Sequence, residues 1–259
     1  MKNTDPRFSP RAHDLIRNYL LPPRCPGCRR LLPLKMKYAT PFCTDCREEF
    51  ESELLRPCPT CDRAMCECGC LPPLLTENGI TEGLLLSAYI KDGRTATNRI
   101  VYFMKNTYHE GLFSDIADRL AHRVRRFLKR EGLTAEGIAV ASLPRRRSAK
   151  RAHGFDQAEA LAVLLAKRLG CTYTDCIRRR GIGKEQKALT AKERMQNASG
   201  AFCARKGTDL SGYTVFLVDD IVTTGSGLFE CAEVLLSCGA VRVVPTVIAR
   251  TMERRYKRT

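Results

Sequence analysis

The sequence predicts an α/β protein: a parallel sheet flanked by helices, preceded by a small cysteine-rich module. Three observations carry that expectation. From residue 214 to 249 a β-branched run, a polar glycine-rich loop, a helical apolar pattern and a second apolar run follow one another, the order of a parallel βαβ unit. A second strand-like run, 138–142, also leads through a polar loop into a helical pattern. Upstream, nine of the 14 cysteines fall between Cys25 and Cys70, in three C-x₂-C pairs and a closing trio.

At 259 residues the chain is long enough for one or two domains, and the change in composition near residue 75 favours two. The expected division is a short N-terminal helix within 1–24, with 10–21 helical, a double zinc ribbon over 25–75, and a larger domain over 80–259. A net charge of +16 and a pI near 9.4 suggest a polyanionic partner, although a solvated basic surface gives the same balance. The sequence contains no long apolar run and no N-terminal apolar export segment, so a cytoplasmic protein without membrane insertion is expected. In a reducing compartment the clustered cysteines read as metal ligands rather than disulfides. Each C-x₂-C turn presents two thiolates to one edge of a tetrahedron. Cys25 and Cys28 therefore pair with Cys43 and Cys46 around one structural zinc. Cys58 and Cys61 would take two of Cys66, Cys68 and Cys70 around a second, and the spacing leaves open which two.

Residues 71–75, with two prolines, and the polar TENG that follows read as a linker. Next come a strand over 84–89, a short helix over 95–105 and a long amphipathic helix over 110–129, none with evident chemistry. The strand at 138–142 ends in Leu143-Pro144-Arg145-Arg146-Arg147, with Lys150 and Arg151 close behind, a cluster of cations at a strand end. Asp156, with Glu159 three residues on, then caps a helix that Gly170 stops. A strand over 171–177 precedes a long polar stretch whose one expected helix is 190–197. Loops of that length in compact domains are usually functional, and Arg178, Lys187 and Arg194 are candidates to meet an anionic ligand under such a lid.

The strand at 214–218 leads into the most specific stretch. Asp219 and Asp220 are acceptors suited to vicinal sugar hydroxyls, or to Mg²⁺ and its waters. Thr223, Thr224, Gly225, Ser226 and Gly227 place small hydroxylated residues and glycines at a helix N-terminus, where free N–H groups favour a phosphate. Phosphate beside sugar hydroxyls describes a ribose 5-phosphate. Open α/β sheets hold ligands at this edge.

VFLVDDIVTTGSG resembles the signature of type I phosphoribosyltransferases that binds 5-phosphoribosyl 1-pyrophosphate (PRPP), and no GxxxxGK[ST] phosphate loop occurs in the chain. Together with the cysteine pairs, LPRRRSAKRAHGFDQAEALA and QKALTAKERMQNASGAF, it resembles the ComF family of competence-associated, amidophosphoribosyltransferase-like proteins along nearly the whole chain. Where that family has RGFNQ, this chain has His153-Gly154-Phe155-Asp156-Gln157, without the Arg and the Asn. The resemblance implies a type I phosphoribosyltransferase-like sheet behind a double zinc ribbon, with PRPP bound as its magnesium complex. Asp219 and Asp220 would hold the ribose hydroxyls, Thr223 to Gly227 the 5-phosphate, and Arg145 with Lys187 the pyrophosphate. It further implies a link to DNA uptake, with single-stranded DNA and a competence-machinery protein, met through the zinc module, as partners. A non-catalytic single-stranded-DNA-binding factor regulated by PRPP, or a purine-salvage enzyme, fits the same motifs.

Overall fold

The structure is a computed structural model that describes residues 24–32, 41–145, 154–180 and 200–253. The expected helix at 10–21, the cations at 146–151, the 181–199 stretch with Lys187, Arg194 and the helix at 190–197, and the basic tail at 254–258 lie outside them. The described strands are β1 (Leu84–Ile90), β2 (Ile138–Ser142), β3 (Thr172–Tyr173), β4 (Ile177–Arg179), β5 (Phe202–Ala204), β6 (Thr214–Val222) and β7 (Arg242–Met252). The α-helices are α1 (Thr44–Leu55), α2 (Pro73–Thr76), α3 (Ala96–Asn106), α4 (Glu110–Glu131), α5 (Gln157–Leu169) and α6 (Ser226–Ser237). Five strands form one parallel sheet in the order β1-β7-β6-β2-β3. The loops after β1, β2 and β6 therefore emerge at the same, carboxyl, edge.

Central β6 is buried on both faces, which is why its sequence reads as an unbroken apolar run. Val215 and Leu217 pack with Leu228, Cys231 and Leu235 of α6, while Phe216 and Val218 pack with α4 and α5. Helix α4 turns Leu112, Ile116, Leu120, Val124 and Phe127 inward at helical spacing and ends at Gly132, whose φ of 65° is that of a left-handed C-cap. Helix α5 starts from the Asp156 cap and stops at Gly170, the bounds expected for it.

The strand expected to end at Val218 continues to Val222, so Asp219 and Asp220 lie within β6, with Asp219 in register with Val247 of β7. Two acids looked like loop, but ladder pairing to a long neighbouring strand outweighs side-chain polarity here. The single strand expected over 171–177 is broken into β3 and β4, and β4 pairs antiparallel with β5 in a separate small sheet. Within the expected linker, α2 buries Leu75 completely.

The cysteine-rich module brackets β1, the outer strand of the sheet, from both faces. Cys25, Phe42, Cys46, Phe50 and Leu54 share a core with β1, α3 and α4. Cys58, Met65, Cys68, Leu71 and Leu75 share the other with α6 and the opposite sheet face. Covering β1 in this way leaves no open outer strand on that side. Among the described residues no helix is long and apolar enough to cross a membrane.

Candidate functional site

Two groups of four cysteines converge, Cys25/Cys28/Cys43/Cys46 and Cys58/Cys61/Cys68/Cys70, with all sulfurs of a group within 4.8 Å of one another. Cys28 Sγ lies 3.6 Å from Cys43 Sγ and Cys61 Sγ 3.7 Å from Cys68 Sγ. A tetrahedral zinc with Zn–S bonds of about 2.3 Å needs sulfurs about 3.8 Å apart, so both groups fit a closed structural zinc site. Cys66 is not in the second group. It sits in the single 3₁₀ turn Met65–Glu67, half-buried, where burial pushes its thiol pKa up. Cys43 caps α1 and Cys46 lies in its first turn, a helix that the ribbon pattern did not disclose. The turn at Gly27 comes so close that a Cβ there would stand 2.8 Å from Cys46 Sγ.

Arginines tie both groups to the sheet domain. Arg99 of α3 donates to Gly27 O at 2.8 Å and reaches Cys46 Sγ at 3.9 Å, while Arg30 lies 3.3 Å from Cys28 Sγ. Arg250 of β7 donates to Cys70 O at 3.3 Å and lies 3.8 Å from Cys58 Sγ, and Arg123 of α4 donates to Cys68 O at 2.8 Å. Burial opposes ionisation of Cys28 and Cys58. Hydrogen bonds from Arg30 outweigh it in the first case and backbone N–H groups of Thr60 and Cys61 in the second, so both thiols are lowered to about 6. Such cationic surroundings suit a site in which four thiolates exceed the charge of one zinc ion.

At the carboxyl edge, Asp219 and Asp220 are half-buried side by side. Burial, and next the charge of Asp220, hold the Asp219 carboxyl well above the usual carboxylate range, although its Oδ1 accepts the Asp220 N–H at 2.8 Å. Asp220 Oδ1 accepts the Ile221 N–H at 2.6 Å, and its Oδ2 receives Gln157 Nε2 and lies 3.4 Å from Lys105 Nζ. Thr223, Thr224 and Ser226 are exposed just beyond, and Thr223 Oγ1 lies 2.8 Å from Thr251 Oγ1. Gly225 adopts a φ of 84°, and a Cβ on it would strike Leu75 at 2.8 Å. Only glycine lets the loop turn there while resting on α2. Ser226 then opens α6, whose first-turn N–H groups have no intrahelical acceptor and point along the positive end of the helix dipole.

Arg145 joins this edge by two contacts. Its N–H donates to Asp156 Oδ2 at 3.1 Å and its guanidinium to Lys105 O at 3.4 Å. Arg179 braces the same loop, donating to Pro144 O at 2.9 Å while its guanidinium lies over the Phe202 ring at 4.4 Å. The fold thus brings together Arg145, Asp219, Asp220 and 223–227, while Lys187 lies outside the described residues. Lys105 and Gln157 were not singled out as site residues. Gln157 could have been, as the first residue of a helix entered from the basic loop; Lys105 ends a helix whose sequence pattern reveals only its buried face.

Residues 156–258 match the family model described as a phosphoribosyl transferase domain. With the parallel sheet and its edge, this makes the chain a protein of the phosphoribosyltransferase fold class. A "DNA utilization protein YhgH" from Salmonella typhi is 31% identical over 165 residues, 63% of this chain and 71% of that protein. The protein of the same description from Escherichia coli strain K12 is 34% identical over 100 residues, 38% of this chain and 43% of that one. The chain belongs to the ComF family, to which these YhgH proteins are joined by the transferase domain and the paired four-cysteine groups. Among solved structures, a purine phosphoribosyltransferase from Pyrococcus horikoshii is 16% identical over 60% of this chain and 96% of its own, with a TM-score of 0.33, too slight a likeness to build on.

Proposed function

We propose that the protein binds PRPP as its magnesium complex at the carboxyl edge of β6 and transfers the phosphoribosyl group in a pathway of DNA uptake or use. The observation that carries this reading is the convergence, on one edge, of Asp219 and Asp220 with the 223–227 loop at the start of α6 and with Arg145. The two carboxylates take the ribose hydroxyls and the magnesium shell, the loop and helix N-terminus the 5-phosphate, and Arg145, with Lys187 from the 181–199 stretch, the pyrophosphate. In transfer, a nucleophile bonds to C1 of the ribose as the C1–O bond to pyrophosphate breaks, and these fixed charges stabilise the separating charge. The cysteine module, 25–75, carries two structural zinc ions and docks a partner of the DNA-uptake machinery, while 80–259 holds the ligand. Pyrophosphate release from Mg-PRPP, measured with nucleobases and with small amines as acceptors, tests turnover. Acceptor-dependent release supports the transferase; PRPP binding without release from any acceptor removes it.

A second reading has its own support. The relatives are described as DNA utilization proteins, and the charge of +16 favours a polyanion, so the protein would bind single-stranded DNA with PRPP as a regulatory ligand. Salt-sensitive DNA binding that Mg-PRPP alters, without turnover, distinguishes it.

A further inference from the structure

The carboxylate that the proposed function assigns to ribose hydroxyls is already engaged. Asp220 Oδ1 accepts its own neighbour's N–H from Ile221, and Oδ2 is shared by Gln157 Nε2 and the Lys105 ammonium, 3.4 Å away. The Asp220 side chain retains only 13% of its exposure against 37% for Lys105, so the lysine reaches in from the open side of the site. Its position is held by the fold. Lys105 lies in the last turn of α3, and its carbonyl accepts from Arg145 at 3.4 Å, so the two cations share one wall of the site. A vicinal diol that donates to Asp220 Oδ2 therefore has to take the place of an ammonium.

We infer that Lys105 is the residue that selects ligands bearing an anionic group at C1 of the ribose, an inference that rests on the PRPP reading of this site. In the free protein Lys105 is the counter-ion of Asp220. When the diol displaces it, a ligand with pyrophosphate at C1 offers the ammonium a new partner beside Arg145, and the charge stays paired. Ribose 5-phosphate, with a hydroxyl at C1, displaces the lysine and leaves it without a counter-ion in a half-buried site. The lysine thus opposes the sugar phosphate and is neutral or favourable toward its pyrophosphorylated form. Gln157 contributes no such choice, since an amide loses a hydrogen bond but no ion pair when the diol arrives.

The test compares binding of Mg-PRPP and of ribose 5-phosphate to the full zinc-loaded chain by calorimetry, for wild type, Lys105→Met and Lys105→Arg. Methionine keeps the stem of a partly exposed side chain at a helix end and removes only the charge. The expected result is that Lys105→Met binds ribose 5-phosphate more tightly and Mg-PRPP more weakly than wild type, so that the preference for PRPP falls about tenfold or more, as losing a charge-assisted contact predicts. Lys105→Arg should restore it. A ratio within about twofold of wild type in Lys105→Met, or equal weakening toward both ligands, overturns the inference while leaving PRPP binding at this edge intact. Wild type that binds neither ligand overturns the PRPP reading, and the inference falls with it.

Discussion

Glu53 is a buried carboxylate on α1 of the cysteine module, 5% exposed, that caps the start of α3 in the sheet domain. Its Oε1 accepts the Ala96 N–H at 2.8 Å, and its Oε2 accepts the Thr97 N–H at 2.9 Å and the Thr97 hydroxyl at 2.6 Å. Replacement by glutamine preserves shape but leaves one oxygen for two backbone donors and turns an NH₂ group toward the other. The loss of a charge-assisted bond, on the order of 1.5–3 kcal/mol, combines with an unsatisfied buried N–H of about 1–3 kcal/mol. The charge also sits at a helix N-terminus, a favourable contact of about 0.3–2 kcal/mol. Because these contributions overlap, Glu53→Gln should destabilise α3 by roughly 2–4 kcal/mol. Hydrogen exchange at Ala96 and Thr97, with zinc held constant, reads the effect locally, and the denaturant midpoint reads it globally. Because α3 ends at Lys105, the change should also weaken PRPP binding. Protection of both amides within about 0.5 kcal/mol of wild type would refute the capping account.

His109 caps α4, its Nδ1 accepting the Leu112 N–H at 3.1 Å, and burial lowers its pKa from 6.5. Its folded value lies below its unfolded one, so its contribution to stability is complete above about 6.5 and is lost as pH falls through the folded value. His109→Asn keeps an acceptor without titrating, and it should flatten the melting temperature between about pH 7 and pH 5; an unchanged slope contradicts this. Metal analysis should find about two zinc ions per chain in wild type and in Cys66→Ser but about one in Cys28→Ser, and loss of zinc in Cys66→Ser would displace Cys68 or Cys70 from the second site. For single-stranded DNA, log K against log salt should slope by about −3 to −5, and replacing Arg254, Arg255, Lys257 and Arg258 by Gln should flatten it without altering PRPP binding. A slope near zero would leave the basic charge to solubility.

Much of the fold was legible because its elements announce their own ends. Strand β2 falls on Ile138–Ser142 since it is apolar on both faces and Pro144 follows closely, and α5 is bounded by Asp156 and Gly170. The cysteine pairs stated the metal chemistry through spacing alone. Other features depend on contacts between distant segments. Choosing among Cys66, Cys68 and Cys70 required the turn at Met65–Glu67, which carries Cys66 away from the other sulfurs. Helix α1 was visible as Cys46, Phe50 and Leu54 at four-residue spacing, but two of its early positions had already been read as ribbon. The acids of the candidate site were found by their motif, whereas Lys105 and Leu75 reach it across the fold, and no local pattern marks them.

The central claim is that Asp219 and Asp220 at the end of β6 hold PRPP. Asp219 has its pKa raised above the unfolded value by burial and by Asp220, so the stability it contributes is present at low pH and lost as pH rises through the folded value. At neutral pH the pair therefore opposes folding, and Asp219→Asn with Asp220→Asn should melt no lower than wild type. Calorimetric titration with Mg-PRPP at neutral pH is the direct measurement. Saturable binding to wild type and none to the folded double variant is the predicted result; equal affinity in the two proteins would contradict the placement of the ligand at this edge.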